Sequence, residues 1–326
     1  MRVLVTGAGG MIGRKLVERL VGDGAIGDRP IEHLVVADLV APSPPASRIK
    51  TEALTSDIAA PGEAERLIGK RPDVIFHLAA IISGDAEANF EKGYRVNLDG
   101  MRALLEAIRR TGDGYHPRLI YTSSSAVFGA PFPESIPDEY HLTPLTSYGA
   151  QKAIGEMLLA DYVRKDFLDG VGIRFPSICI RPGKPNASAG GFFSGIIREP
   201  LAGQEAILPV PDDVGLTHAS PRSAVGFLIH AATLRPEQLG ARVNLTMPGV
   251  YCTVGEQIEA LRKLAGEKAV ARIRRVPNEL ILRINKGWPG RFDARRAQAL
   301  GFKAETSFDQ IVRVYIEDEL GGQLTA

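Results

Sequence analysis

A tyrosine and a lysine four residues apart, Tyr148 and Lys152, form the pair in this sequence best suited to acid–base chemistry. Residues at this spacing lie one above the other on one face of a helix, where an ammonium favours the phenolate form of the tyrosine. The pKa of a free tyrosine is about 10, and lowering it makes the phenol a usable base near neutral pH. The same spacing also occurs by chance on solvated helix faces. The surrounding sequence must therefore show whether this pair is catalytic.

Three serines, Ser123 to Ser125, precede this pair at the end of the apolar segment 118–122. The segment predicts a strand whose end carries hydroxyl groups. A polar turn is one interpretation of such a run. In the other, the strand end brings a hydroxyl beside Tyr148, where it would orient an alcohol.

The N-terminal sequence predicts the element that would bind a cofactor. The apolar run 2–6 is followed by Gly7, Gly10 and Gly13 and then by helical periodicity from Ile12. Strand, glycine turn and helix, in this order, are the context of a dinucleotide fingerprint. The glycines permit a tight turn, close approach of a pyrophosphate to backbone N–H groups, and close packing of helix on sheet. A glycine-rich turn without a ligand is the alternative.

An acidic residue, Asp38, ends the second predicted strand, 33–38. A carboxylate there accepts hydrogen bonds from both hydroxyls of an adenosine ribose and repels a 2′-phosphate, which favours NAD over NADP. A strand-end Asp that caps the next turn is the alternative, and the nearby Arg14 leaves NADP open.

Further strand ends supply candidate cofactor contacts. Asp57 and Ile58 end a short strand-like stretch and would line an adenine pocket, or else form a simple turn. Segment 73–80 is a buried strand with small residues at its carboxyl end, and Ser83 just beyond is a candidate contact near the nicotinamide. His77 lies among apolar residues and is interpreted as a core histidine.

Asn97 is predicted to begin a helix, where its ordinary role is that of an N-cap. A role in holding a water or relaying a proton is the alternative interpretation. Propensity alone does not separate the two.

Composition predicts an ordinary globular enzyme and excludes several other classes. Of 326 residues, 44% are hydrophobic and 24% charged, and the net charge of +1 gives no electrostatic footprint for nucleic acid or an anionic membrane. The two cysteines have neither metal-ligand nor disulfide spacing, and no metal site is predicted. Met1 leads directly into a strand without a signal sequence or transmembrane run, so a cytoplasmic protein is expected.

The alternation of strands and helices predicts an α/β fold, a doubly wound parallel sheet of Rossmann type with a smaller C-terminal substrate lobe. The NAD-binding domain is expected to span residues 1–180, with 222–250 returning to it. Residues 181–221 and 251–326 are assigned to the substrate-binding lobe.

The combination of these motifs resembles the extended short-chain dehydrogenase/reductases. The matching elements follow one another in the family's order across the first half of the chain: segment 6–13, Asp38, Asp57-Ile58, segment 77–80, Asn97, segment 123–129, Tyr148 and Lys152. In the second half, segments 181–186, 195–203 and 288–291 resemble the D-erythronate dehydrogenases, a group within this family. The implied reaction is oxidation of the C2 hydroxyl of D-erythronate, or a closely related four-carbon sugar acid, to a 2-oxo acid.

The resemblance also implies roles for individual residues. Tyr148 is the expected base, Lys152 holds the nicotinamide ribose, and Ser124 orients the substrate. Ser125 and Ser83 are expected to contact the substrate. The expected cofactor contacts are Gly7, Gly10, Met11, Ile12, Gly13, Asp38, Asp57, Ile58, Leu78, Ala79, Ala80, Ser83, Asn97, Ser123, Tyr148, Lys152 and Pro176. The assignment among the three serines rests on spacing and shifts by one residue if the spacing slips.

A sugar-acid substrate carries a carboxylate, which requires a cationic or strongly donating partner. Arg181, Lys184 and Asn186, in the loop after a predicted strand, are the first candidates, followed by Arg222 and Arg291. Solvated surface charge is the alternative for each of them.

Two departures separate the chain from the better-known nucleotide-sugar enzymes. Phe128 stands where those enzymes usually have a tyrosine, and segment 216–222 lacks their Arg-Asp-aromatic signature. Ser125 and Ala126 replace the acidic pair of the dehydratases. A nucleotide-sugar epimerase, a dehydrogenase of another sugar acid or of threonine, and a non-catalytic NAD-sensing module are the alternatives. The resemblance further implies a homodimer formed through the helices that follow Asn97 and Tyr148.

Overall fold

The computed structural model describes residues 1–183 and 189–323. In chain order, the strands are β1 (Arg2–Thr6), β2 (Ala25–Ile26), β3 (Arg29–Pro30), β4 (His33–Asp38), β5 (Lys50–Thr55), β6 (Val74–His77), β7 (Arg118–Ser124), β8 (Asp169–Phe175), β9 (Ser177–Ile178), β10 (Ala206–Leu208), β11 (Gly215–Ala219), β12 (Asn244–Thr246), β13 (Val250–Thr253) and β14 (Ile273–Arg275).

The helices lie between these strands and after them. They are α1 (Met11–Asp23), α2 (Glu63–Ile68), α3 (Ser83–Ala88), α4 (Phe90–Gly93), α5 (Gly100–Thr111), α6 (Ser147–Arg164), α7 (Gly191–Leu201), α8 (Pro221–Thr233), α9 (Pro236–Leu239), α10 (Val254–Ala265), α11 (Glu267–Val270), α12 (Glu279–Lys286), α13 (Arg295–Ala299) and α14 (Phe308–Glu319). A π-helical stretch, Tyr94–Asp99, joins α4 to α5, and a 3-10 turn, Ser125–Val127, follows β7.

Seven strands form one parallel sheet in the order β12-β8-β7-β6-β1-β4-β5. The chain runs outward from β1 through β4 to β5 and then returns to β6 on the other side of β1. The strand order therefore reverses between β1 and β6. In an open α/β sheet, a ligand binds beyond the carboxyl ends of the strands at such a reversal.

Both faces of this sheet are covered because successive side chains of a strand point to opposite faces. Val3 and Val5 of β1 belong to a buried cluster with residues of α1 and α8. Leu4, between them, belongs to a second cluster with residues of α2, α5 and α6. A continuous apolar run thus becomes a central strand with a helical layer on each side, which confirms the predicted doubly wound fold.

A second group of elements packs together after β8. Strand β11 pairs with β9 on one side and with β13 on the other. Helices α7, α10 and α14 share a separate buried cluster that includes Ile196, Leu261 and Ile311. Strand β12 joins the large sheet beside β8. The division into a cofactor domain and a substrate lobe is a functional one and stays a prediction.

None of the helices within residues 1–183 and 189–323 is long and apolar enough to cross a membrane.

Candidate active site

The turn between β1 and α1 packs closely against the end of β6 and the start of α1. Gly7 has a φ of 75°, and a Cβ there would lie 2.5 Å from the backbone nitrogen of Ala79. A Cβ on Gly13 would lie 2.1 Å from the Gly7 carbonyl oxygen. Only glycine lets the turn, the helix and the end of β6 come this close. The first N–H groups of α1 receive no side-chain cap from Gly10, so the helix presents its N-terminus to an anion.

Asp38 lies at the carboxyl end of β4, beside this turn. Its Oδ2 accepts a hydrogen bond from the Gly9 backbone N–H at 2.8 Å, and its Oδ1 accepts one from the Leu39 N–H at 2.7 Å. The Arg14 guanidinium donates to the Gly9 carbonyl at 2.6 Å. The acid thus stands fixed at the edge of the glycine turn. An uncapped helix N-terminus next to a fixed carboxylate fits a pyrophosphate followed by an adenosine ribose.

Helix α6 packs closely on the end of β7 because it carries glycines on that face. A Cβ on Gly149 would lie 2.2 Å from the Ala126 carbonyl oxygen, and one on Gly155 would lie 2.3 Å from the Tyr121 hydroxyl. The Thr146 side chain caps the helix by accepting from the Gly149 N–H at 3.0 Å. This packing brings the side chains of α6 to the strand end that carries Ser123 to Ser125.

Lys152 is buried against this strand end. Its Nζ donates to the Thr122 carbonyl at 2.7 Å and lies 4.8 Å from the centre of the Tyr121 ring. The distance from Nζ to the centre of the Tyr148 ring is 5.8 Å. Burial lowers the pKa of Lys152 to about 7, although the charge of Glu156 acts in the opposite direction.

Tyr148 stands at the first turn of α6, partly exposed, with Ser124 beside it. Burial of its ring raises the pKa of the phenol above the ordinary value, and the Ser124 side chain and the Arg181 charge lower it. Arg181 thus adds a positive charge that favours the phenolate, besides Lys152, whose Nζ lies 5.8 Å from the centre of the Tyr148 ring.

The three serines at the end of β7 have three different environments. Ser123 is buried, and its hydroxyl donates to Glu156 Oε1 at 2.5 Å. Ser124 ends the strand beside Tyr148, and its hydroxyl accepts from the Ala126 N–H at 3.2 Å. Ser125 begins the 3-10 turn and is partly exposed. Ser124 therefore lies beside Tyr148, whereas the Ser123 hydroxyl points into the protein interior.

Asn97 is buried inside a continuous helical stretch that begins before it, so its interpretation as an N-cap is wrong. Its Oδ1 accepts from the Ile81 N–H at 2.8 Å, and its Nδ2 donates to Gln151 Oε1 at 2.7 Å. The Nε2 of Gln151 is buried and has no hydrogen-bond partner among the residues that the structure describes. Asn97 thus links the chain beyond β6 to helix α6.

The remaining predicted cofactor contacts line the same edge of the sheet to different extents. Leu78 follows β6, and its N–H donates to the Thr6 carbonyl at 3.0 Å. Asp57 pairs with Arg95 at 2.8 Å. The other positions follow strand ends or begin a helix: Ile58 is buried, Ala79 and Ala80 are partly exposed, Ser83 is exposed at the start of α3, and Pro176 is buried after β8.

The arginines predicted to bind the substrate carboxylate differ in the contacts that they already make within the protein. Arg181 is partly exposed, and its Nε donates to the Ile178 carbonyl at 3.0 Å. Its positive charge lowers the pKa of Tyr148. Arg222 pairs with Glu317 and Asp318 on α14, and the Arg291 guanidinium lies 3.6 Å from the centre of the Tyr251 ring. Arg181 is the candidate that the structure brings to the tyrosine. Lys184 and Asn186 lie outside the described residues.

Sequence reasoning missed three groups that hold predicted site residues in place: the Thr122 carbonyl bonds Lys152, Gln151 bonds Asn97, and Glu156 bonds Ser123. A backbone carbonyl has no sequence signal, and the contacts of Gln151 and Glu156 join residues far apart in the chain. The only available signal was spacing, since Glu156 follows Lys152 by the same four residues that separate Lys152 from Tyr148.

Comparison with known proteins assigns this site to a family. Residues 3–213 match the model of the NAD dependent epimerase/dehydratase family. D-erythronate dehydrogenase of Cupriavidus necator is 43% identical over 98% of each chain. D-erythronate dehydrogenase of Haemophilus influenzae is 37% identical over 98% of this chain and all of its own (100%).

Solved structures agree on the fold. A structure described as the nucleoside-diphosphate-sugar epimerase from Agrobacterium tumefaciens has a TM-score of 0.98 and 62% identity, and the match covers 100% of this chain and 96% of that one. An L-threonine dehydrogenase from Cupriavidus necator has a TM-score of 0.83 at 23% identity, over 98% of this chain and 99% of that one, which supports the fold alone.

Two relatives match nearly the whole of this chain, which contains the glycine turn of residues 7–13, Asp38 beside that turn, and the Tyr148–Lys152 pair. The predicted resemblance and the predicted cofactor, NAD, are both confirmed. This chain belongs to the NAD dependent epimerase/dehydratase family, the extended branch of the short-chain dehydrogenase/reductases.

Proposed function

We propose that this protein oxidises the C2 hydroxyl of D-erythronate to the corresponding 2-oxo acid with NAD. The observation that carries the proposal is the placement of Ser124 and Tyr148 together at the strand end beside the cofactor cradle. Two D-erythronate dehydrogenases that match nearly the whole chain support the choice of substrate.

Residues of the turn and of the strand ends would hold the cofactor. The N–H groups at the start of α1, around Met11 and Ile12, would bind the pyrophosphate, and Asp38 would bind the adenosine ribose. When bound, NAD supplies the two-electron acceptor that the oxidation of an alcohol requires. The carboxylate of Asp38 repels a 2′-phosphate, which is the basis for preferring NAD to NADP.

The proton of the C2 alcohol would pass to the Tyr148 phenolate oxygen, with the Ser124 hydroxyl holding the alcohol oxygen. Lys152, fixed on the Thr122 carbonyl, would bind the nicotinamide ribose and keep a positive charge near the tyrosine. Burial makes the phenolate costly, so the nearby charge of Arg181 matters for the base.

A sugar acid brings its own carboxylate to the site. The charge of Arg181 lowers the pKa of Tyr148, so we assign Arg181 to the substrate carboxylate, and Lys184 and Asn186, close to it in sequence, are further members of the proposal. Ser125 is partly exposed and Ser83 is exposed, and both remain proposed substrate contacts.

A nucleotide-sugar epimerase is the second candidate, because the Agrobacterium tumefaciens structure that is 62% identical carries that description. Phe128 weighs against it: the ring is buried, lies under the Arg174 guanidinium and has no hydroxyl to offer a substrate. A panel of D-erythronate, L-threonine and UDP-glucose, each assayed with NAD for NADH formation and with epimerised product analysed separately, distinguishes these functions.

The proposal includes a cytoplasmic homodimer. Ile154 and Met157, three residues apart on α6, expose 36% and 60% of their surface, and Phe90 of the neighbouring α4 exposes 59%. Apolar side chains exposed together on one helix face suit burial against a second copy.

A further inference from the structure

A buried carboxylate, Glu156, lies one helical turn beyond Lys152 and has no role in the chemistry described above. Tyr148, Lys152 and Glu156 follow one another at intervals of four, so they form a stripe along one face of α6. Glu156 is only 1% exposed. Burying a carboxylate costs free energy unless it is paired, so its place beside the reaction centre requires a compensating interaction.

The end of β7 contacts this stripe at adjacent residues. The Ser123 hydroxyl donates to Glu156 Oε1 at 2.5 Å, and Lys152 Nζ donates to the carbonyl of the preceding residue, Thr122, at 2.7 Å. The bond to Glu156 therefore fixes the strand next to the carbonyl that holds the ammonium. Helix and strand are joined at two successive positions, and Ser124 is the next residue along.

Glu156 also stands out among the titratable groups that surround Lys152. Burial lowers the pKa of His77 to about 3 and raises the pKa of both Tyr121 and Tyr148, so these three are neutral near pH 7. Glu156 is the group whose charge raises the pKa of Lys152 against the effect of burial. Within the described residues, the carboxylate of Glu156 is thus the charge that favours the ammonium.

The far side of Glu156 is held by Arg174 of β8. Its guanidinium donates to both carboxylate oxygens, with Nη2 to Oε2 at 2.7 Å and Nε to Oε1 at 2.9 Å. The same guanidinium lies 3.9 Å from Asp138, which also pairs with Arg296 at 2.9 Å. This bidentate pairing compensates the burial of the Glu156 carboxylate.

We propose that Glu156 is a positioning residue of this reaction, which keeps Lys152 in its ammonium form and fixes it on the end of β7. The inference rests on the proposed function for its kinetic consequence, because Lys152 acts in that reaction. The charge on Lys152 is independent of any substrate and can be measured directly.

The direct test is NMR of the full-length protein labelled with 13C at the lysine ε carbon, with the Lys152 signal assigned by its absence from Lys152→Met. In Glu156→Gln, the side chain keeps its shape and loses its charge, and we expect the Lys152 titration midpoint to fall by about one pH unit or more. Glu156→Asp should restore most of the midpoint. An unchanged midpoint in folded Glu156→Gln overturns the proposal.

Asp138→Asn is the matched control, because it removes the other carboxylate near Arg174 without touching Lys152. We expect its midpoint to equal that of the wild type, and an equal fall in both variants would contradict a specific role. If Glu156→Gln leaves Arg174 uncompensated and does not fold, the double substitution Glu156→Gln with Arg174→Gln removes both charges. Its midpoint should still lie below that of the wild type, because the carboxylate that favours the ammonium is gone, and an unchanged midpoint overturns the proposal.

Kinetics supply the second measurement. We expect kcat of Glu156→Gln to fall by about 10-fold at pH 7, and its ratio to the wild-type kcat to decrease as pH rises from about 6 to about 8. The reason is that the wild type keeps the ammonium to a higher pH than the variant. A loss that is constant with pH indicates structural damage only and contradicts the proposal. If D-erythronate is not oxidised while the midpoint still shifts, the proposed substrate fails and the role of Glu156 stands.

Discussion

At the scale of single residues, the chemistry depends on a phenol whose environment is unfavourable to its charged form. Burial raises the pKa of Tyr148, whereas Ser124 and Arg181 lower it. A base with a raised pKa is mostly protonated at neutral pH, and its active fraction increases as the pH rises. Because the Lys152 ammonium is lost above its pKa of about 7, we expect kcat/KM for alcohol oxidation to rise with pH up to about 7 and then to level off, where the loss of ammonium offsets the gain in phenolate.

Replacing Tyr148 by Phe removes the base and leaves the ring. We expect kcat to fall by about 10²–10⁴-fold, the range typical of general acid–base catalysis, and NAD affinity to change little. Initial rates and calorimetric titration with NAD measure the two quantities. Tyr162→Phe, on the same helix but bonded to Glu106 away from the site, is the control and should keep wild-type kcat. Retained turnover in Tyr148→Phe would rule out the assigned base.

At the scale of elements, the cofactor cradle depends on the missing side chain of Gly13. A Cβ at this position would lie 2.1 Å from the Gly7 carbonyl oxygen, which forces the turn and α1 apart. We expect Gly13→Ala to weaken NAD binding by about 10-fold or more and to destabilise the fold by about 1–3 kcal/mol, as overpacking does. Calorimetry and thermal unfolding measure both.

Gly22→Ala is the matched control for this substitution. Gly22 lies on the same helix, and a Cβ there would meet no atom of residues 1–183 and 189–323 within 4 Å. We expect unchanged NAD affinity and a stability equal to or up to about 1 kcal/mol above the wild type, because alanine favours the helix. Equal losses of NAD binding in the two variants would contradict the close-approach explanation.

The elements that carry the site were largely predictable, and the contacts between them were not. Strand β4 ending at Asp38, the glycine turn and the start of α6 at Ser147 follow from local patterns that repeat every two or about 3.6 residues. The partners of Asn97 and Ser123 come from distant parts of the chain, at Ile81, Gln151 and Glu156. No local pattern encodes such pairings.

The absence of a local signal for distant contacts also explains why the predictions for Asn97 and Arg222 differ from the structure. Periodicity placed a helix start at Asn97 because the apolar repeat becomes regular there, whereas the structure continues a π-helical stretch through it. Arg222 was a candidate for the substrate carboxylate, but Glu317 and Asp318 of the last helix already pair with it. Charge type is visible in a sequence, and the partner that neutralises the charge is not.

At the scale of the whole molecule, the proposed homodimer can be tested on helix α6. Met157 exposes 60% of its surface, and Met157→Glu places a charge on the proposed contact. We expect a dimer for the wild type and a monomer for the variant by light scattering coupled to gel filtration. Arg164→Glu, at the exposed end of the same helix, is the control and should stay dimeric. A monomeric wild type contradicts the homodimer.

At the same scale, D-erythronate is the alcohol that we expect the whole molecule to oxidise, and steady-state kcat/KM for D-erythronate with NAD tests this most directly. We expect NADH to accumulate with D-erythronate, far less with L-threonine, and none from UDP-glucose, with the activity lost in Tyr148→Phe. Absence of NADH formation from D-erythronate, together with turnover of a UDP-sugar by the same preparation, would contradict the account.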